Sequence, residues 1–214
     1  MGLFNLGNNH SSNTQSTAPA TTAPAQEVSS TGGMLNLQKN QFLDLNKANV
    51  NLSNMRLAAG WDVSRGRGNY DLDICAILLD ANGRYYDKVY YGDKNANGVR
   101  LDGDNLTGAG EGDDENIYVN ISKLSSSVKR IVLAVCIYSA RSRGQSFKYV
   151  ENAYVRLVDE STGKEVCRYN LSNDGGDATA VIFAELYENN GSWNFKAIGE
   201  TCNASIDDIA RRYK

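Results

Sequence analysis

The stretch Ala178-Thr-Ala-Val-Ile-Phe-Ala-Glu-Leu-Tyr-Glu-Asn-Asn-Gly-Ser-Trp-Asn-Phe-Lys-Ala-Ile198 decides the fold class. Two runs rich in β-branched and aromatic residues, 178–187 and 192–198, flank Glu188-Asn-Asn-Gly191. Asn-Gly accepts the positive φ that a tight hairpin needs, so the two runs read as paired antiparallel strands. Ala81-Asn-Gly-Arg84 repeats the signal between 70–79 and 85–91. Working outward, similar runs lie at 52–59, 116–119, 129–138, 152–158 and 164–170. Helix is expected only as a turn at 122–125 and a short segment at 205–213. About nine strands, no repeat period and no proline beyond Pro24 predict an all-β chain, an antiparallel β-sandwich with short helical turns and a short C-terminal helix.

Composition divides the chain into three parts. Residues 7–33 are rich in Asn, Ser, Thr, Ala and Gly, hold Pro19 and Pro24, and read as a flexible linker. Ahead of it, Met1-Gly-Leu-Phe-Asn-Leu6 is a small apolar peptide, either a docking peptide for an unknown partner or an ordinary frayed terminus. Leu6 stands where a myristoylation signal wants Ser or Thr. The expected organisation is therefore an apolar peptide and linker at 1–33, the sandwich at 34–200 and a helical tail at 201–214. The N-terminus lacks the basic start and apolar run of a signal peptide, and the apolar runs are far shorter than the ~20 residues of a membrane span. A cytoplasmic, reduced setting is expected, with a peripheral position at the inner face of the membrane as the alternative. The widely spaced Cys75, Cys136, Cys167 and Cys202 form no C-x-x-C; Cys75 and Cys136 read first as small buried hydrophobes.

Charge is near balance overall, 22 Lys and Arg against 25 Asp and Glu, but not locally. Asp102-Gly-Asp-Asn-Leu-Thr-Gly-Ala-Gly-Glu-Gly-Asp-Asp-Glu115 carries six acids and no base. So dense an anionic segment argues against nucleic acid as the partner there. Its carboxylates, with Asn105 and Thr107, are hard oxygen donors, and its glycines allow backbone carbonyls to turn inward. Ca²⁺ takes six to eight such ligands in a flexible shell. Two carboxylates ~4 Å apart repel by ~4 kcal/mol at an effective dielectric near 20, so the segment is either extended and solvated or closed on a cation. Asp71 and Asp73 flank Leu72 at a strand start and share one face by period two, and Asp62 follows Gly60-Trp61 at another strand end. Together these are more carboxylates than one calcium uses, and two neighbouring ions are expected if the segments meet.

Competing chemistry fits less well. The single histidine, His10, lies in the linker, which removes the usual His-based triads, general acids and zinc sites from the domain. Asp93-Lys-Asn-Ala-Asn-Gly98, with Asp104 after it, approaches an EF-hand loop, but the run before it reads as strand and a turn explains it as well. Paired carboxylates could serve a glycosidase, yet acids adjacent on a glycine-rich loop suit a cation better than two separated roles. Arg65-Gly-Arg-Gly68 and Arg141-Ser-Arg-Gly144 are either anion-binding turns or solvated loops. The expectation is a protein without catalytic residues.

Gly60-Trp-Asp62, Tyr70-Asp-Leu-Asp73, Gly103-Asp-Asn-Leu-Thr-Gly-Ala-Gly-Glu-Gly-Asp-Asp-Glu115, Phe183-Ala-Glu-Leu-Tyr187 and Trp193-Asn-Phe-Lys-Ala-Ile-Gly199 occur in the order found in the TerD family of tellurium-resistance and general stress proteins, which residues 34–200 resemble. Leu35-Asn-Leu-Gln-Lys39 resembles that family's first strand. The resemblance implies a non-enzymatic β-sandwich holding two Ca²⁺ ions. Its implied setting is a tellurite, chemical-stress or phage resistance system, with other proteins of a stress-resistance complex, membrane-associated ones included, as partners. The matching positions are Asp62, Asp71, Asp73, Asp104, Asn105, Asp113, Asp114 and Glu115, with backbone carbonyls near Gly108 and Gly112 as further ligands; Glu185 also matches. Asn170 stands where Asp is common, and Ala184 replaces a usual Gly. The alternative function is a Ca²⁺-dependent domain recognising phospholipid or carbohydrate.

Overall fold

The computed structural model describes residues 24–29, 33–63, 70–103, 112–170 and 175–214. In chain order the strands are β1 Gln26–Val28, β2 Leu35–Asn36, β3 Gln41–Asp44, β4 Met55–Val63, β5 Leu72–Leu79, β6 Tyr85–Val89 and β7 Asn95–Ala96. They continue as β8 Val99–Asp102, β9 Glu115–Val119, β10 Arg130–Ile137, β11 Val150–Asp159, β12 Lys164–Asn170, β13 Ala180–Asn189 and β14 Ser192–Cys202. Two short α-helices, α1 Ala140–Arg143 and α2 Ile206–Arg211, complete the elements that matter for the site. The strands form two seven-stranded sheets, ordered β1-β3-β14-β13-β10-β5-β6 and β2-β12-β11-β4-β9-β8-β7. Pairing is antiparallel throughout the sheet interiors and parallel only where β1 meets β3 and β2 meets β12. This is the expected all-β sandwich, with mixed edges that the sequence pattern did not foretell.

The hairpin expected at Glu188–Gly191 is a two-residue turn. Asn190 and Gly191 both take positive φ, 51° and 80°, between β13 and β14. That geometry matches the right-handed twist of the flanking strands. Asp93–Gly98, by contrast, is no helix–loop–helix: Tyr90 bridges Asp93, and β7 turns back into β8 through Gly98 at φ 84°.

Alternation places the core. Leu72, Ile74, Ala76 and Leu78 of β5 join Leu57, Ala59 and Trp61 of β4 and Ile117 and Val119 of β9 between the sheets. The opposite face of β5, with Cys75, Ile77 and Leu79, packs under Ile206, Ile209 and Ala210 of α2. Every residue of β5 is therefore buried, which explains a continuous apolar run in a strand of an otherwise half-solvated sheet. Helix α2 starts at a capping box in which Ser205 and Asp208 satisfy each other's backbone N–H groups. Among the described residues no helix is long and apolar enough to cross a membrane.

Candidate metal centre

The candidate centre lies where β5 begins and β9 begins, on facing sheets. Strand β6 pairs with β5 only from Ala76 to Leu79, so the first half of β5 runs beyond the end of its edge partner. Glu115 crosses from the other sheet to that open edge, and its Oε2 accepts the Ile74 N–H at 2.7 Å. Glu115 is 1% exposed, Asp73 4% and Asp71 8%, so three carboxylates are withdrawn from water at one end of the sandwich. Burying carboxylates is unfavourable without compensating donors or a cation. Within β5, period two puts Asp73 on the face of Cys75, and Asp71 precedes the strand by one residue. Burial first, and the charge of Asp73 second, push the Tyr91 phenol above its ordinary value.

Three consecutive acids lead into β9 and do three different things. Asp114 donates its own N–H to the Ala59 carbonyl at 2.8 Å, and its Oδ2 accepts the Trp61 N–H at 2.9 Å, so it prolongs the β4–β9 ladder past the strand's end. Glu115 does the same service for β5. Asp113 turns to the outer face of the second sheet. There its Oδ1 and Oδ2 accept Arg156 Nε and Nη2 at 2.8 and 2.7 Å, a forked pair, while Arg56 Nη1 donates to Oδ2 at 2.5 Å and the Tyr154 hydroxyl to Oδ1 at 2.9 Å. Burial works against the Asp113 charge, but Arg156, Arg56 and Tyr154 outweigh it and hold the carboxyl below its ordinary value. The Tyr154 phenol is pushed up to about 12, by burial first and then by its bond to Asp113. The network extends through Arg156 to Glu165 at 2.7 Å and through Arg56 to Glu160 at 2.5 Å, with the Arg168 guanidinium 4.1 Å above the Tyr154 ring.

Gly60 makes this junction possible. A Cβ there would stand 2.6 Å from Tyr154 Cζ and Oη and 2.7 Å from the Gly112 carbonyl oxygen. Gly60→Ala is expected to cost about 1–3 kcal/mol by overpacking, read as a lower midpoint in urea unfolding; an unchanged midpoint would mean that the Tyr154 ring is not held in place.

The sequence-selected positions thus divide. Asp71 and Asp73 flank Leu72 at the start of β5, Glu115 reaches the Ile74 N–H of the same strand, and Gly112, Asp113 and Asp114 lead into β9. Asp62 is exposed on the outward side of β4, where its Oδ2 accepts Asn152 Nδ2 at 2.7 Å. Glu185 lies between Arg130 and Lys196 at 3.5 and 3.8 Å, a cross-strand charge group on the first sheet. Asp104, Asn105 and Gly108 lie outside the described residues. Among the described residues no three His, Cys, Asp or Glu side chains form a set able to hold an ion by themselves. Any ion here would therefore need donors besides these side chains. In kind, the buried donors are all carboxylate oxygens, the set that suits a hard cation such as Ca²⁺ and not a soft one. Arg56, Arg156 and Tyr154 were not singled out from sequence; their outward places in the alternating runs of β4 and β11 were the available signal.

An all-β sandwich with buried carboxylates at Asp71, Asp73 and Glu115, and an acid-rich sequence leading into β9, defines a recognisable class. The TerD domain family model matches residues 34–213, and the chain belongs to that family. It is 42% identical over 186 residues to General stress protein 16U of Bacillus subtilis (strain 168), covering 84% of this chain and 96% of that one. It is 35% identical over 185 residues to Tellurium resistance protein TerD of Serratia marcescens, with 84% and 96% covered. Among solved structures, a homologue of telluride resistance protein (TerD) from Streptomyces coelicolor A3(2) superposes with a TM-score of 0.63 at 24% identity, over 74% of this chain and 95% of that one. At that identity the likeness concerns the fold.

Proposed function

We propose that this chain is a non-enzymatic calcium-binding module of a stress-resistance system, in which bound Ca²⁺ fixes the acid-rich segment and shapes a surface for partner proteins. The stress-resistance part rests on relatives named for general stress and tellurium resistance. The calcium part rests above all on the burial of Asp71, Asp73 and Glu115, the last of these at the point where the acid-rich sequence enters β9. Asp71, Asp73 and Glu115, with Asp104, Asn105 and the carbonyls of Gly108 and Gly112, are the groups that would hold two ions; Asp114 and Asp62 flank them. Asp113 serves instead as the clamp that ties the segment to Arg56 and Arg156. The ions would supply charge neutralisation and crosslinking of the two sheets.

Because donors would come from both sheets, binding should couple to stability: at a hundredfold excess over Kd a ligand adds about 2.7 kcal/mol. For a chain of this size that is a rise in melting temperature of about 5–10 °C. Thermal unfolding in EGTA and in millimolar Ca²⁺ measures it, and coincident curves would sink the assignment. One observation favours a second reading, Ca²⁺-dependent recognition of phospholipid or carbohydrate. The exposed rings of Tyr91 and Tyr138 stack edge to face at 5.6 Å beside the start of β5. Liposome or glycan binding that chelator abolishes would support it; capture of partner proteins alone would support the first.

A further inference from the structure

Strand β1 lies ahead of the residues matched by the TerD domain, 34–213, yet it is built into the first sheet. It runs parallel to β3 in the register Gln26↔Gln41, Glu27↔Phe42, Val28↔Leu43. Gln26 N–H donates to the Asn40 carbonyl at 3.0 Å, Val28 packs against the core, and Glu27 pairs with Lys47 at 2.6 Å on the outer side. Among the described residues nothing else pairs with that side of β3, since its other neighbour is β14. Remove β1, and Gln41–Asp44 becomes the edge of the remaining six-stranded sheet, with an apolar notch where Val28 lay and a cation at Lys47. An open edge of that kind accepts an added strand, main-chain bonds supplying affinity and alternate side chains specificity.

We propose that the outer edge of β3 is a strand-addition groove for a separate partner peptide, and that this chain keeps its own residues 24–29 in the groove until such a peptide displaces them. The hold is slight: three residues, one ion pair between side chains 68% and 40% exposed, and one partly buried aliphatic side chain. The fitting partner is an extended segment, laid parallel to β3, with a carboxylate at the Glu27 place followed by an aliphatic residue at the Val28 place. A basic residue at the first place would meet Lys47 and be rejected. The inference goes beyond the calcium proposal and does not need it, because β3 and Lys47 belong to the sheet edge and not to the acid-rich segment.

The test uses the full chain in EGTA and a fluorescent peptide copying residues 22–31. Glu27→Lys should free the groove, so the peptide should bind that variant at least tenfold more tightly than the unaltered chain. Hydrogen exchange at Gln41–Asp44 should quicken in the variant and slow again when peptide is added. The charge-swapped chain Glu27→Lys with Lys47→Glu should close again and reject the peptide. Equal binding to the unaltered and Glu27→Lys chains, or none to the variant at millimolar peptide, would overturn the proposal. So would a dimer of the unaltered chain that Glu27→Lys abolishes, because the occupant would then be a second copy. Loss of the calcium-dependent melting shift, in contrast, would leave these results unmoved.

Discussion

Asp113→Ala should lower stability by about 2–4 kcal/mol even in chelator, toward the lower part of the range for breaking a buried ion pair because the two guanidiniums keep some contact with water. The substitution leaves Arg56 and Arg156 facing each other across a missing carboxylate whose side chain was 8% exposed, and it strips Tyr154 of its acceptor. Urea unfolding measures the loss, and a change below about 0.5 kcal/mol would mean that the network is only a solvated surface ladder. The pH dependence carries the same signature. Asp113 titrates below its ordinary 3.8 in the folded protein, so its contribution is whole above that value and disappears as pH falls through the depressed one. Tyr154 works the other way. Its phenol rises from an ordinary 10.0 to about 12, so its contribution is complete below pH 10 and is lost as pH climbs toward 12. Asp113→Asn should flatten the acid limb and bring the alkaline limb to lower pH.

Glu115→Gln should separate calcium from packing. The amide oxygen can still accept the Ile74 N–H, so the ladder extension survives, while the charge that a cation would neutralise is gone. In EGTA the variant should be as stable as the parent or slightly more so, since a buried carboxylate no longer opposes folding. In Ca²⁺ most of the 5–10 °C rise should vanish. A variant that keeps the full rise would remove Glu115 from the ion's shell. One that loses stability equally in both conditions would make its role purely structural.

How much of this was legible beforehand depends on whether the deciding interaction is local. The hairpin at Asn190-Gly191 and the β-branched, apolar runs of β10 and β13 are local, and both were read from residues alone. The Val99-Arg-Leu-Asp alternation of β8 was equally local but was obscured by the EF-hand-like spacing that precedes it. The parallel edges were invisible, because two or three residues of Gln26–Val28 or Leu35–Asn36 carry no period; their placement follows from which edge lies open. The acid-rich segment announced itself by composition. What composition could not tell was that three adjacent acids would part, Asp113 to guanidiniums, Asp114 to the Trp61 amide and Glu115 to the Ile74 amide. Charge counts treat them as equivalent, whereas their partners come from strands distant in sequence, β4 and β11 for Asp113, β4 for Asp114 and β5 for Glu115.

The two parallel edge strands also order events in time. Leu35 pairs with Cys167 and Phe42 with Lys196, so the first strands made must wait for some of the last. At about 5–20 residues per second, synthesis leaves Gln41–Asp44 without its β14 partner for about 8–30 s, with Phe42 and Leu43 in an unfilled edge. Among the described strands, β1 is the only neighbour of β3 in the finished sheet that has been made during that interval.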